Sequence, residues 1–273
     1  MIVPSIGATI LGWLAAVCSA SGEGEEAKAV LALKKLGAEI ERSDDRPDSP
    51  VVGVTILRSC ADEDLKIFQN LKKIRALLLL STGITDKGIA HLKNLRELRV
   101  INLRGSKVTC ASLIQLSKCP RLERLLLSGT LVSDEGIADL RKFPSLKTLY
   151  LDGTRITDKA LEPIGKLKNL EGLLIADTKI SDKGLRHLSH LAKLEHLLLS
   201  GTQITDTGLK QLAVLRNLEW LGLADTQVSD EGLKHLVGLK KLKLLQLQST
   251  KVSEQGIREL KKAIPKLFVE IGN

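Results

Sequence analysis

One phrase, LSGTQITDTGLKQLAVLRNLEW from Leu199 to Trp220, returns along the chain at a fixed interval. IADTKISDKGLRHLSHLAKLEH and LDGTRITDKALEPIGKLKNLEG are the same phrase one and two intervals earlier. Thr82, Thr130, Thr154, Thr178, Thr202, Thr226 and Thr250 fall on one 24-residue grid, with Ser106 in the remaining place. Asp86, Asp134, Asp158, Asp182, Asp206 and Asp230 form a second grid four residues later. A period of this length overrides any local reading, because a unit so short cannot bury its own apolar face and must stack on its neighbours.

Eight coils follow, starting at Ile74, Leu98, Leu122, Leu146, Leu170, Leu194, Leu218 and Leu242. Each reads L-x-x-L-x-L-x-x-T-x-I-[ST]-D-x-G-L-x-x-L-x-x-L with few departures. Within a coil the spacing changes character. Leu197 and Leu199 are two apart, as on one face of a short strand. Leu209, Leu212 and Leu215 step by three, as on one face of a short helix. Thr205-Asp206 supplies the oxygen acceptor expected to cap that helix, and Gly208 permits close packing there. Thr202, where the chain leaves the strand, is expected to bond the backbone of the neighbouring coil.

This pattern resembles the leucine-rich repeat, L-x-x-L-x-L-x-x-N/C-x-L, with Thr in place of Asn or Cys. The resemblance covers Ile74 to Leu267 and recurs in every coil. The 24-residue form looks most like bacterial repeats common in planctomycete proteins, and is similar to the cysteine-containing repeats of eukaryotic F-box proteins. The N-terminal region holds no F-box-like segment, so an adaptor role in ubiquitin ligation is not supported. The resemblance implies an α/β fold: a right-handed solenoid with a concave parallel sheet, convex short helices and a partner bound on the sheet.

The expected organisation is a signal-like segment or anchor at 1–22, an N-terminal cap at 23–73, eight repeats at 74–265 and a closing strand at 266–273. In the cap, Glu25–Leu36 places Ala29, Val30, Leu33 and Leu36 on one helical face, and Gly37 ends it. AEIER and VVGVTIL read as strands around the turn-forming SDDRPDSP. Asp62, Leu65, Phe68 and Leu71 keep the grid as a degenerate first coil, and Leu267, Val269 and Ile271 read as the last strand.

The first 22 residues carry no charge and end in small residues, with Cys18-Ser19-Ala20 as a cleavage-like site. That matches a secretory signal peptide. Pro4 and the lack of a leading Lys or Arg leave a membrane anchor and a non-signal N-terminus open. Export to the medium or cell envelope is the expectation. Cys60, Cys110 and Cys119 would remain after cleavage, an odd number with no C-x-x-C pair, against a disulfide framework or a zinc site. Cys60 and Cys119 fall at inward positions.

The residues between the buried leucines face the concave side. One column reads Ala76, Val100, Arg124, Thr148, Gly172, His196, Trp220, Leu244, and the next Leu78, Asn102, Leu126, Tyr150, Leu174, Leu198, Gly222, Gln246. The third reads Leu80, Arg104, Ser128, Asp152, Ala176, Ser200, Ala224, Gln248. The chain's only Tyr and its only Trp outside the N-terminal segment stand in these columns, and aromatics and Arg are frequent interface anchors. Arg104, Arg124, Tyr150, Asp152, His196 and Trp220 are the expected contacts with a protein partner, with Leu126, Leu174 and Leu198 around them. The competing reading is cross-strand packing with no ligand.

Other chemistries fare worse. His196 and Ser200 lie four residues apart on one strand and Asp152 two strands away, about 13 Å and about 10 Å, too far for a triad. No catalytic residue, cofactor or metal is expected. The Asp column is explained by helix capping, and His91, His187 and His235 share a convex, solvated position. Outside the acidic stretch at 22–48, 36 of the 41 basic and 24 of the 32 acidic side chains remain. That charge suits a nucleic acid, but the lysines lie on helix faces without an aromatic platform, so none is expected.

Overall fold

The computed structural model describes residues 23–46, 48–57, 60–80 and 83–271. The signal-like segment and Thr82 lie outside the described residues. A helix at Glu23–Lys35 is followed by β1 (Glu39–Arg42), β2 (Val51–Ile56) and β3 (Ala76–Leu79). One three-residue strand per coil comes next: β4 (Val100–Asn102), β5 (Arg124–Leu126), β6 (Thr148–Tyr150), β7 (Gly172–Leu174), β8 (His196–Leu198), β9 (Trp220–Gly222), β10 (Leu244–Gln246) and β11 (Phe268–Glu270). They form one sheet in sequence order. β1 pairs antiparallel with β2, and every later pair is parallel with 24-residue register from β3 onward, as in Leu173↔Leu197↔Leu221. The opposite, convex side carries short helical turns such as Asp206–Leu212 and Arg186–His190. The fold is the right-handed α/β solenoid that the repeat implies.

The grid also decides what is buried. Leu194, Leu197, Leu199, Ile204, Leu209 and Leu212 are all 0% exposed, and the same positions repeat through one core running from Ala29 to Leu267. Each such leucine adds about 1.5–3 kcal/mol of transfer free energy. Ala29, Val30 and Leu33 of the N-terminal helix cover the open end, and Gly37 ends the helix in the left-handed region at φ 69°. Cys60 and Cys119 are buried, and their thiols are pushed up to about 11, by burial first and for Cys60 also by Asp64 and Asp62.

Two local expectations are corrected. The helix cap is the Ser or Thr alone: Thr205 Oγ1 accepts from the Thr207 amide at 3.2 Å. The aspartate after it reaches the next coil instead. Asp182 accepts the Thr205 amide at 2.9 Å and the Thr205 hydroxyl at 2.6 Å, 23 residues on. Asp62, Asp86, Asp134, Asp158, Asp206 and Asp230 repeat the pair of bonds, making a ladder between coils. The helical glycine makes room for it, since a Cβ on Gly208 would meet Asp182 Oδ1 at 2.4 Å. Thr202 bonds its own coil, not the neighbour, donating to the Leu199 carbonyl three residues back. Where the chain leaves β4 to β10 it passes through a left-handed residue, glycine in four coils but Asp177, Asp225 and Ser249 in the other three. Aspartate tolerates that conformation better than most residues.

The ladder has a pH consequence. Ser253 donates its hydroxyl and amide to Asp230 and lowers that carboxyl below its ordinary 3.8. Burial alone would raise Asp86, but hydrogen bonds from Ser112 and Thr109 outweigh it and lower it too. A carboxyl whose folded pKa is depressed contributes stability above its unfolded value, and that contribution is lost as pH falls through the folded value. The melting temperature is therefore expected to drop below about pH 4. Asp86→Asn/Asp230→Asn should flatten that drop in circular-dichroism melts. An acid drop of unchanged steepness in the double variant would remove the ladder as its cause.

Candidate functional site on the concave sheet

Strand periodicity points alternate side chains of β3–β11 out of the core on one face. Parallel pairing then sets Arg124, Thr148, Gly172, His196, Trp220, Leu244 and Phe268 side by side. The second row runs Leu126, Tyr150, Leu174, Leu198, Gly222, Gln246. Thr148 and Gly172 are the low point of the first row. Around them lies a depression of about 420 Å³, bounded by Arg124 on one flank and by His196 and Trp220 on the other. Tyr150 and Leu174 form its back wall, and Glu123, Lys147, Glu171 and Glu195 its rim.

The aromatic flank is held in place. His196 and Trp220 meet edge to face with ring centroids 6.1 Å apart. The indole Nε1 of Trp220 donates to Gln246 Oε1 at 3.2 Å, and Gln246 Nε2 donates to Glu270 at 2.8 Å. Trp220 and Tyr150 are half-buried and His196 is exposed. Leu198 leans over Gly222, where a Cβ would come within 2.0 Å of its Cδ1.

The structure brings Arg124, Tyr150, Leu174, His196 and Trp220 of the expected contacts into one depression. Leu126 and Leu198 flank it, while Arg104 is exposed farther along the sheet. Asp152 has its carboxylate occupied. It accepts the Ser128 hydroxyl at 2.7 Å and the Ala176 amide at 3.0 Å. Leu174 is 8% exposed, so it acts mostly as packing between Tyr150 and Leu198. Among the described residues no three His, Cys, Asp or Glu side chains converge as metal ligands would.

Sequence reasoning passed over two features. Phe268 continues the first row beyond Leu244 and is 61% exposed. Extending the 24-residue grid by one coil would have found it. The residue before each of the strands β4 to β10 forms a rim row: Arg99, Glu123, Lys147, Glu171, Glu195, Glu219, Lys243. Glu123 pairs with Arg99 at 3.1 Å and Lys147 at 3.3 Å, and Glu219 with Lys243 at 2.6 Å.

A family model described as leucine-rich repeat matches residues 144–204. Internalin C2 from Listeria monocytogenes is structurally similar at TM-score 0.60 and 24% identity, over 89% of this chain and 92% of that one. The internalin inlF of the same organism aligns at TM-score 0.47 and 18% identity, over 90% of this chain and 94% of that one. The plant peptide hormone receptor RGFR1, solved in complex with RGF2, aligns at TM-score 0.49 and 17% identity, over 76% of this chain and 33% of that one. At such identities the likeness to internalin C2 is one of fold. No curated protein matches the sequence.

Proposed function

We propose that the chain is a non-catalytic interaction module that binds a protein partner on the concave sheet. One observation carries the reading. In a chain with only two Trp, one Tyr and three Phe, Trp220, Tyr150 and Phe268 all stand on that face, the first two lining one depression. Ordered aromatics beside an open, polar-rimmed depression are the usual anatomy of an interface core. Arg124, His196 and Trp220 are the principal contacts, with Tyr150, Leu126, Leu174 and Leu198 behind them. Arg104 and Asp152 are peripheral. Asp152 bonds Ser128 and Ala176 rather than His196, which argues against a triad with Ser200.

The burial of Leu174 favours a second reading, a structural or envelope repeat protein whose concave apolar residues only pack along the sheet. Partner capture from extracts of the source organism separates the two. Tyr150→Ala and Trp220→Ala should each weaken capture of a common partner by about 1 kcal/mol or more. Convex Lys210→Ala should leave capture unchanged. Full affinity in the folded fraction of both aromatic variants would favour the structural reading.

Export is part of the proposal and rests on the sequence of residues 1–22. Among the described residues no helix is long and apolar enough to cross a membrane. The native protein should begin near Ser21 by mass spectrometry. Recovery of Met1-bearing protein from the cytoplasm would end the export claim.

A further inference from the structure

The rim row alternates in charge from Arg99 to Glu171 and then sets three glutamates in succession, Glu171, Glu195 and Glu219. Glu123 pairs with both Arg99 and Lys147 across adjacent coils, and Glu219, the last of the three, pairs with Lys243. Between these groups the chain sets Glu171 and Glu195 side by side. Neither carboxylate has a cation within 4.0 Å or a side-chain hydrogen bond among the described residues, although Lys147 stands next to Glu171 and turns toward Glu123. Two like charges one strand spacing apart, about 4.8 Å at the backbone, repel each other and gain from a shared counter-ion.

The open space lies directly beside them. Gly172 follows Glu171 and leaves the floor without a side chain, and a Cβ there would meet Thr148 Cγ2 only at 3.5 Å. His196 follows Glu195 and meets Trp220, so the acidic rim and the aromatic flank share one corner. Carboxylates beside an indole suit a lysine ammonium or an arginine guanidinium, which takes both the ion pair and the ring face. An anion would face Glu171 and Glu195 at this corner, while Arg124, across Thr148 and Gly172, gives the depression a positive far end.

We infer that the concave depression is a receptor for a basic side chain, a Lys or Arg presented by an extended partner segment and seated between Glu171 and Glu195 against Trp220. This rests on the concave-binding reading and gives the partner's chemistry. It runs against the chain's overall charge of +9, which would by itself select acidic partners.

The test uses the folded chain, labelled with 15N, and three capped peptides at millimolar concentration: acetyl-Gly-Arg-Gly-amide, its norleucine counterpart and its Glu counterpart. Trp220 and Trp13 are the only tryptophans, so the Trp220 indole N–H is readily assigned with Trp220→Phe. The Arg peptide should shift that signal saturably, and the norleucine and Glu peptides should not. Glu171→Gln/Glu195→Gln, isosteric on an open rim, should weaken the Arg peptide about fivefold to tenfold. Raising salt from 0.05 to 0.5 M should weaken it in the wild type only. Equal shifts from the Arg and norleucine peptides would overturn the inference while leaving an apolar concave site standing. Equal Arg affinity in the double variant would overturn it as well. A partner whose capture depends on Tyr150 and Trp220 but not on the two glutamates would also overturn it, with the concave reading intact.

Discussion

Leu197→Ala is expected to lower the free energy of unfolding by about 2–5 kcal/mol, the range for a buried leucine truncated in a core that cannot collapse around the gap. Leu197 is 0% exposed at the centre of β8, paired with Leu173 on one side and Leu221 on the other. Every coil has a leucine or isoleucine at that level, so the cavity opens in a continuous column with rigid walls above and below. In a stacked array the loss falls on both coil interfaces at once, because stability there is nearly a sum of coil and neighbour contributions. Lys210→Ala, on the exposed convex face of the same coil, should change stability by no more than about 0.5 kcal/mol. Urea unfolding followed by circular dichroism measures both. Comparable losses would mean that the inward register is wrong.

Asp182→Ala should cost about 2–3 kcal/mol although the residue is only half-buried. Two charge-assisted bonds go, to the amide and to the hydroxyl of Thr205, and the Thr205 hydroxyl is itself the cap of the next helical turn. Hydrogen bonds to a charged group are worth more than neutral ones, and the amide left behind is partly shielded from water. Asp182→Asn keeps an acceptor for the amide and should cost less than half as much. Position 110 offers a natural contrast. There a cysteine stands on the aspartate grid, and Ser133 in the next coil has no side-chain cap bond. Cys110→Asp should accordingly stabilise the junction. If Asp182→Ala proves as mild as Lys210→Ala, the ladder is not what couples the coils.

The sequence alone determined the architecture. A period of 24 residues, with leucines first two and then three apart, states which side of a strand or helical turn each Cβ leaves. That is a property of local backbone geometry, and it is the same in every coil. The strand positions, the inward leucines, the buried Cys60 and Cys119, and the two columns that leave each strand on the concave side were legible for that reason. The choice of polar partner was not. Asp182 could serve its own helix or the next coil, and Thr202 its neighbour or its own strand. Only the stacking distance, with the clearance that Gly208 provides, decided between them. The same holds on the concave face. The grid placed Tyr150, His196 and Trp220 on one surface, but not the edge-to-face contact of His196 with Trp220, the Gln246 anchor of the indole, or the satisfied carboxylate of Asp152. Nor could it show that Lys147 turns to Glu123 and leaves Glu171 and Glu195 bare. Those outcomes depend on the reach of long side chains across a gap between coils. Several partners there lie within a few ångströms, and only the packed structure selects one.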